Sequence, residues 1–111
     1  MLEDVLMPQW KLFKNPNKAT LTHFPLLLDI QSDLLDDLRT TVVIPLTPKR
    51  LWGAHALSRL NPVVQFNDTR YVVMTQNISG IDRKTIGDVA GDLENCRAEI
   101  IDAVGFVIGG L

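Results

Sequence analysis

Only one stretch of this chain repeats its apolar residues with a helical period over several turns, and it comes last. Leu93, Cys96, Ile100, Val104, Val107 and Leu111 recur at spacings of three and four. Ile101 and Ile108 widen the stripe, while Glu94, Asn95, Arg97, Glu99 and Asp102 take the opposite side. Asp92 stands where an N-cap belongs, the acidic first turn suits the helix dipole, and Gly109-Gly110 supplies a stop. Everything earlier is a series of short apolar runs separated by turn residues, which is how strands read. Strands first and one long helix last confine the chain to an α+β arrangement, with the helix lying on an antiparallel sheet.

The runs can be placed individually. Residues 9–14 read as a first strand, ended by Asn15-Pro16-Asn17, where Pro fixes φ and Asn tolerates tight geometry. Residues 24–30 read as a second strand, and the unbroken Leu26-Leu27-Leu28 suggests burial on both faces. Residues 33–38 form a polar-apolar connection. The β-branched run at 40–46 is the plainest strand, with Pro45 and Pro48 expected to close it. Residues 49–60 fit either a short helix or a loop. Residues 62–66 and 69–76 flank Asn67-Asp68, a pair that accepts the positive φ of a type I′ hairpin turn. Residues 77–91 read as irregular or short-stranded.

At 111 residues, with 46% hydrophobic and 22% charged side chains, the chain has the composition of one globular domain rather than a disordered segment. The net charge of −2 is too balanced for a general nucleic-acid binder. It is unevenly spread: residues 46–84 carry a local +4 and residues 85–111 a local −4, expected as solvated faces on opposite sides of the domain. Cys96 is the single cysteine, so neither an internal disulfide nor a cysteine-based metal site forms, which fits a reducing compartment. Residues 1–8 hold Glu3 and Asp4 and no apolar run of signal-sequence length, and no stretch reaches membrane-spanning length. A cytoplasmic location is the expectation.

Groups with catalytic potential are sparse. His23 and His55 are far apart and lack ligand-spaced neighbours. Gly80, Gly87 and Gly91 match no phosphate-cradling loop, and Ser32 and Ser58 lack a nucleophile elbow. Asp33, Asp36 and Asp37 sit in a connection, where solvated acids are the ordinary outcome. The odd feature is the end of the helix. Residues 103–111 contain no charged or polar side chain, and Gly105 and Phe106 fall where polar residues belong. Such a segment is either enclosed, within the domain or a homodimer, or kept apolar for a partner.

One ordered set of residues narrows this further. Leu28-Asp29-Ile30-Gln31-Ser32-Asp33-Leu34-Leu35-Asp36 is followed by Val42-Val43-Ile44-Pro45-Leu46, then Leu60-Asn61-Pro62-Val63-Val64, Val73-Met74-Thr75 and a helix closing on Gly110-Leu111. The series resembles the signature of the CcdB family of bacterial toxins over residues 9–111, leaving 1–8 as an N-terminal extension. The resemblance implies an α+β, SH3-like barrel of antiparallel strands with a small accessory sheet and a long C-terminal helix. It further implies a homodimer without cofactor or metal that is no enzyme. Such a toxin binds the A subunit of DNA gyrase, traps the gyrase–DNA cleavage complex, and is neutralised by a cognate antitoxin. Neither direct nucleic-acid binding nor a membrane is implied.

Carried onto this chain, the gyrase-contacting positions are Ser32, Leu34, Leu35, Gly105, Ile108, Gly109, Gly110 and Leu111. Gly109 stands where the family's best-known pattern has an anchoring tryptophan, and Gly105 where it has asparagine. Lys11, Lys14 and Lys18 bracket the Asn15-Pro16-Asn17 turn and suggest a basic loop facing an acidic stretch of the antitoxin. Two other readings stand beside this one. A MazF/PemK-type endoribonuclease shares the fold, with Arg39, Thr40 and Thr41, or His23, as the groups to nominate. A non-toxic chromosomal relative would bind only the antitoxin.

Overall fold

The computed structural model describes residues 9–31, 38–52 and 59–110. Among them, seven strands form one curled antiparallel sheet: β1 (Lys11–Lys14), β2 (Leu26–Asp29), β3 (Thr40–Pro48), β4 (Val63–Phe66), β5 (Thr69–Val73), β6 (Ser79–Asp82) and β7 (Val89–Asp92). A helical turn, α1 (Lys49–Trp52), follows β3, and a long helix, α2 (Arg97–Gly109), closes the described chain. The α+β architecture expected from the order of elements is the one observed, a half-barrel with a C-terminal helix. The main path of the sheet runs β4-β5-β3-β2-β1-β7, with β6 joined to β3 off that path.

The nine-residue β3 is the spine. Along one edge it pairs with β2, from Leu26 opposite Leu46 to Asp29 opposite Val43. The other edge is shared: Leu46–Pro48 face β5 and Thr40–Val43 face β6. Pro45 does not close the strand, as its sequence position suggests, because it sits where that edge changes partner. The Pro45 carbonyl accepts from the Met74 N–H at 3.0 Å, and the Met74 carbonyl is taken by the Asn77 N–H at 2.8 Å. No ladder donor is therefore missed at position 45.

Alternation along the strands places Leu12, Leu26, Leu28, Ile44 and Leu46 in one core with Val64, Val73, Trp10, Leu93 and Ile100. Leu27 points to the other face, where it lines a shallow groove of about 250 Å³ with Phe24, Val43, Pro45 and Ile81. The leucine run is thus fully buried on one face only, because on the other Leu27 is half-buried in an open groove, short of the burial on both faces that the unbroken run suggests. Trp10 holds a left-handed φ of 80° and joins three elements. Its N–H donates to the Asp29 carbonyl and its carbonyl accepts from the Leu93 N–H, both at 2.9 Å.

The helix begins later than the sequence suggests. Asp92 is the last residue of β7, and its carboxylate accepts from the Glu94 N–H at 3.0 Å, serving a 3₁₀ turn over Glu94–Cys96 instead of α2. Burial of Leu93 and its bond to Trp10 hold the chain to the sheet before it is free to wind. The two charge runs also meet instead of standing apart, at an Arg59–Asp102 ion pair of 3.3 Å.

The β4–β5 hairpin forms as expected, with Asn67 and Asp68 at φ 49° and 65°. A non-glycine residue in this region carries strain that glycine lacks. Asp68→Gly should therefore raise stability by about 0.5 kcal/mol, seen as a higher urea midpoint with an unchanged slope.

Candidate functional site

Helix α2 is held to the domain by its first half only. Ile100 and Ala103 are fully buried and Val104 is half-buried. Past that point the described residues cover the helix less: Val107 is 37% exposed and Ile108 78%, and Ile101 in the preceding turns is 56% exposed. Gly105, Gly109 and Gly110 are exposed beside them. A Cβ built on Gly105 or Gly110 would meet nothing within 4 Å, so no packing among the described residues requires a small residue there. Gly110 ends the helix at φ 69°, its N–H donating to the Phe106 carbonyl at 2.9 Å. The described end of the helix is therefore not enclosed by the described residues of its domain. It is an apolar projection, flattened by glycine, of the kind that marks interaction surfaces.

Two glycines make this projection intrinsically weak, each costing about 1 kcal/mol relative to alanine inside a helix. A lateral contact offsets part of that. The Arg59 Nε donates to Asp102 Oδ2 at 3.3 Å, and its guanidinium lies 4.9 Å from the centroid of the Phe106 ring. Asp102 and Phe106 are four residues apart and so share a face. Both side chains of the ion pair are about half exposed, so solvent screens it and each contact contributes at most about 1 kcal/mol.

The Asp29 end of the signature is built as a rigid base. Asp29 is buried, and its Oδ1 accepts from the Gln31 N–H at 3.0 Å and from the Thr41 hydroxyl at 2.9 Å. Gln31 Nε2 donates to the Thr40 carbonyl at 3.1 Å, and Gln9 Nε2 to the Ile30 carbonyl at 2.8 Å. Ile30 lines a shallow cavity of about 200 Å³ with Gln9, Trp10, Ile101 and Val104. The structure thereby brings the exit of β2 alongside α2. Ser32, Leu34, Leu35 and Leu111 lie outside the described residues, so of the eight positions expected to contact gyrase it places Gly105, Ile108, Gly109 and Gly110.

The lysines do not form one loop. Lys14 and Lys18 are exposed on either side of a turn fixed by Asn15, whose Nδ2 donates to Thr20 Oγ1 and to the Phe24 carbonyl. Lys11 is at the other end of β1, opposite Asp92, in a depression it shares with Asp92 and Glu94. Thr41 is wholly buried against Asp29, which removes it from the candidate catalytic groups, whereas Arg39, Thr40 and His23 are exposed. Burial first, and the neighbouring Glu99 carboxylate second, push the Cys96 thiol above its ordinary range, the opposite of what an activated nucleophile needs. Among the described residues no helix is long and apolar enough to cross a membrane.

Comparison with known proteins gives two kinds of likeness. The family model described as CcdB protein matches residues 9–110. Among solved structures, an endoribonuclease from Mycobacterial species superposes with a TM-score of 0.69 at 16% identity, over 91% of this chain and 89% of its own. An endoribonuclease in complex with its cognate antitoxin, also from Mycobacterial species, gives a TM-score of 0.70 at 14% identity, over 91% of this chain and 93% of its own. At these identities the likeness is one of fold. It corrects one expectation drawn from the family resemblance, that the chain is no enzyme: the fold is shared with endoribonucleases, so nothing in its architecture denies it catalysis.

Proposed function

This chain belongs to the CcdB family, and from that membership we propose that it is the toxin of a toxin–antitoxin pair that grips the A subunit of DNA gyrase and traps the cleaved DNA complex. The observation that carries the reading is the bare end of α2, where Val107 and Ile108 stand beside exposed glycines with no covering from the described part of their own domain. Two such ends, brought together in a homodimer, would present a narrow apolar wedge to a partner's cavity. The cognate antitoxin meets the Asn15-Pro16-Asn17 turn through Lys14 and Lys18, with Lys11 contributing from the far end of β1. The test is a cleavage assay with purified protein, gyrase, ATP and plasmid, stopped with detergent and protease. Linear DNA is the expected product; none across several gyrases would overturn the reading.

A second reading, endoribonuclease activity, is favoured by the fold shared with the two Mycobacterial structures. Incubation with RNA in parallel separates it, since an endoribonuclease fragments RNA whether or not gyrase is present. If neither assay responds, the non-toxic relative that only binds an antitoxin is the reading left to test, by direct binding to the antitoxin.

Gly109 departs from the family's tryptophan at an exposed position. Gly109→Trp should restore an aromatic anchor worth ~2 kcal/mol, lowering the half-maximal concentration for DNA cleavage about thirtyfold. An unchanged titration in a folded variant would show that position 109 does not meet the partner.

A further inference from the structure

We propose that Arg59 is a positioning residue for the partner-binding end of α2, an inference that rests on the function proposed above. Its footing is firm. Arg59 precedes Asn61, which is 1% exposed and whose Nδ2 donates to the Val73 carbonyl at 3.1 Å and to Gln76 Oε1 at 2.6 Å. The Pro62 carbonyl accepts from the Val73 N–H at 2.9 Å. The backbone beneath Arg59 is therefore tied to β5 and the turn after it, while its side chain leans on the helix.

What it leans on is the stretch that otherwise has least support. Covering by the domain ends near Val104, and the next residues include Gly105 and Gly109. Arg59 reaches Asp102, on the supported side of that boundary, and Phe106, beyond it. One side chain thus couples the anchored half of the helix to the projecting half. With Arg59 in place, the last two turns hold one direction, and Ile108 is presented to a partner with its ordering cost already met by the free protein. Without it, two glycines and a fraying C-terminal end leave the projection to sample many orientations.

The test uses four variants of the full chain, Arg59→Ala, Arg59→Lys, Asp102→Asn and Phe106→Leu, with two readouts. Hydrogen exchange on the free protein should show the amides of residues 104–110 exchanging roughly tenfold faster in Arg59→Ala, with β3 unchanged. In the gyrase assay the half-maximal concentration should rise about fivefold while the cleavage plateau stays the same, because the variant must order its own helix end on binding. Arg59→Lys, which keeps the charge but cannot bond Asp102 and cover Phe106 at once, should recover only part of both effects, and Phe106→Leu should reproduce part of them.

Unchanged exchange in Arg59→Ala would overturn the proposal, whatever happens to DNA cleavage. So would a gyrase defect confined to Arg59→Ala and absent from Phe106→Leu and Asp102→Asn, which would mean that Arg59 touches the partner directly. If the wild-type chain cleaves no DNA yet Arg59→Ala loosens residues 104–110, the functional reading fails while the coupling of helix end to domain stands.

Discussion

Replacing Ile108 with lysine should abolish gyrase poisoning while leaving the fold intact. Ile108 is 78% exposed in the last turn of α2, so its side chain contributes little to the core. A cation near a helix C-terminus is favoured by the dipole, and the folding stability of Ile108→Lys should stay within about 0.5 kcal/mol of the parent. In a complex the same side chain would enter an apolar contact, where an unpaired charge costs about 3 kcal/mol or more, a loss of over a hundredfold in affinity. Val89→Lys provides the control. Val89, 57% exposed on β7, is an exposed apolar residue outside the helix. It should titrate like the parent in the cleavage assay. Equal loss in both variants would point to a general effect of added charge, and retention of cleavage by Ile108→Lys would remove the helix end from the interface.

Features governed by local chemistry are legible in the residues themselves. The stripe from Leu93 to Leu111 announces a helix because its spacing matches the helical repeat, and Asn67-Asp68 announces a hairpin because few other pairs accept positive φ twice. Features decided by distant residues are not legible in this way. Pro45 looks like a strand terminus, and only the closure of Met74 onto Asn77 shows why no donor is needed there. The helix starts at Arg97 and not beside Asp92 because Trp10, from the far end of the chain, holds Leu93 against the sheet. Arg59 carries no local signal at all, since nothing in its neighbourhood names a partner 43 residues ahead. At the site, the missing polar residues at Gly105 and Phe106 correctly mark the projecting end as unusual. Thr41, a candidate for chemistry by residue type, is an internal hydrogen-bond donor.

Asp29→Ala should destabilise the domain more than any other loss of a polar side chain in the signature, and it separates the architectural part of that signature from its recognition part. The Asp29 carboxylate is buried and accepts two hydrogen bonds, from the Gln31 N–H and the wholly buried Thr41 hydroxyl. Alanine removes the acceptor and leaves both donors without it, in a place water reaches poorly. Hydrogen bonds to a charged group contribute about 1.5–3 kcal/mol each, so a loss of about 3 kcal/mol is expected, or a melting temperature lower by roughly 10–20 °C for a domain of this size. Asp29→Asn keeps one acceptor oxygen and should lose only about 1 kcal/mol. Thr41→Val deletes one of the two donors, so adding it to Asp29→Ala should cost less than the two single losses together, with a coupling of about 1 kcal/mol or more in thermal or urea melts. Strict additivity would mean that Asp29 and Thr41 do not share a bond in solution. At a temperature where Asp29→Ala is still folded, parental levels of gyrase-dependent DNA cleavage would place the proposed contact on the helix end, and a lower level would place part of it on the segment that Asp29 anchors through Gln31.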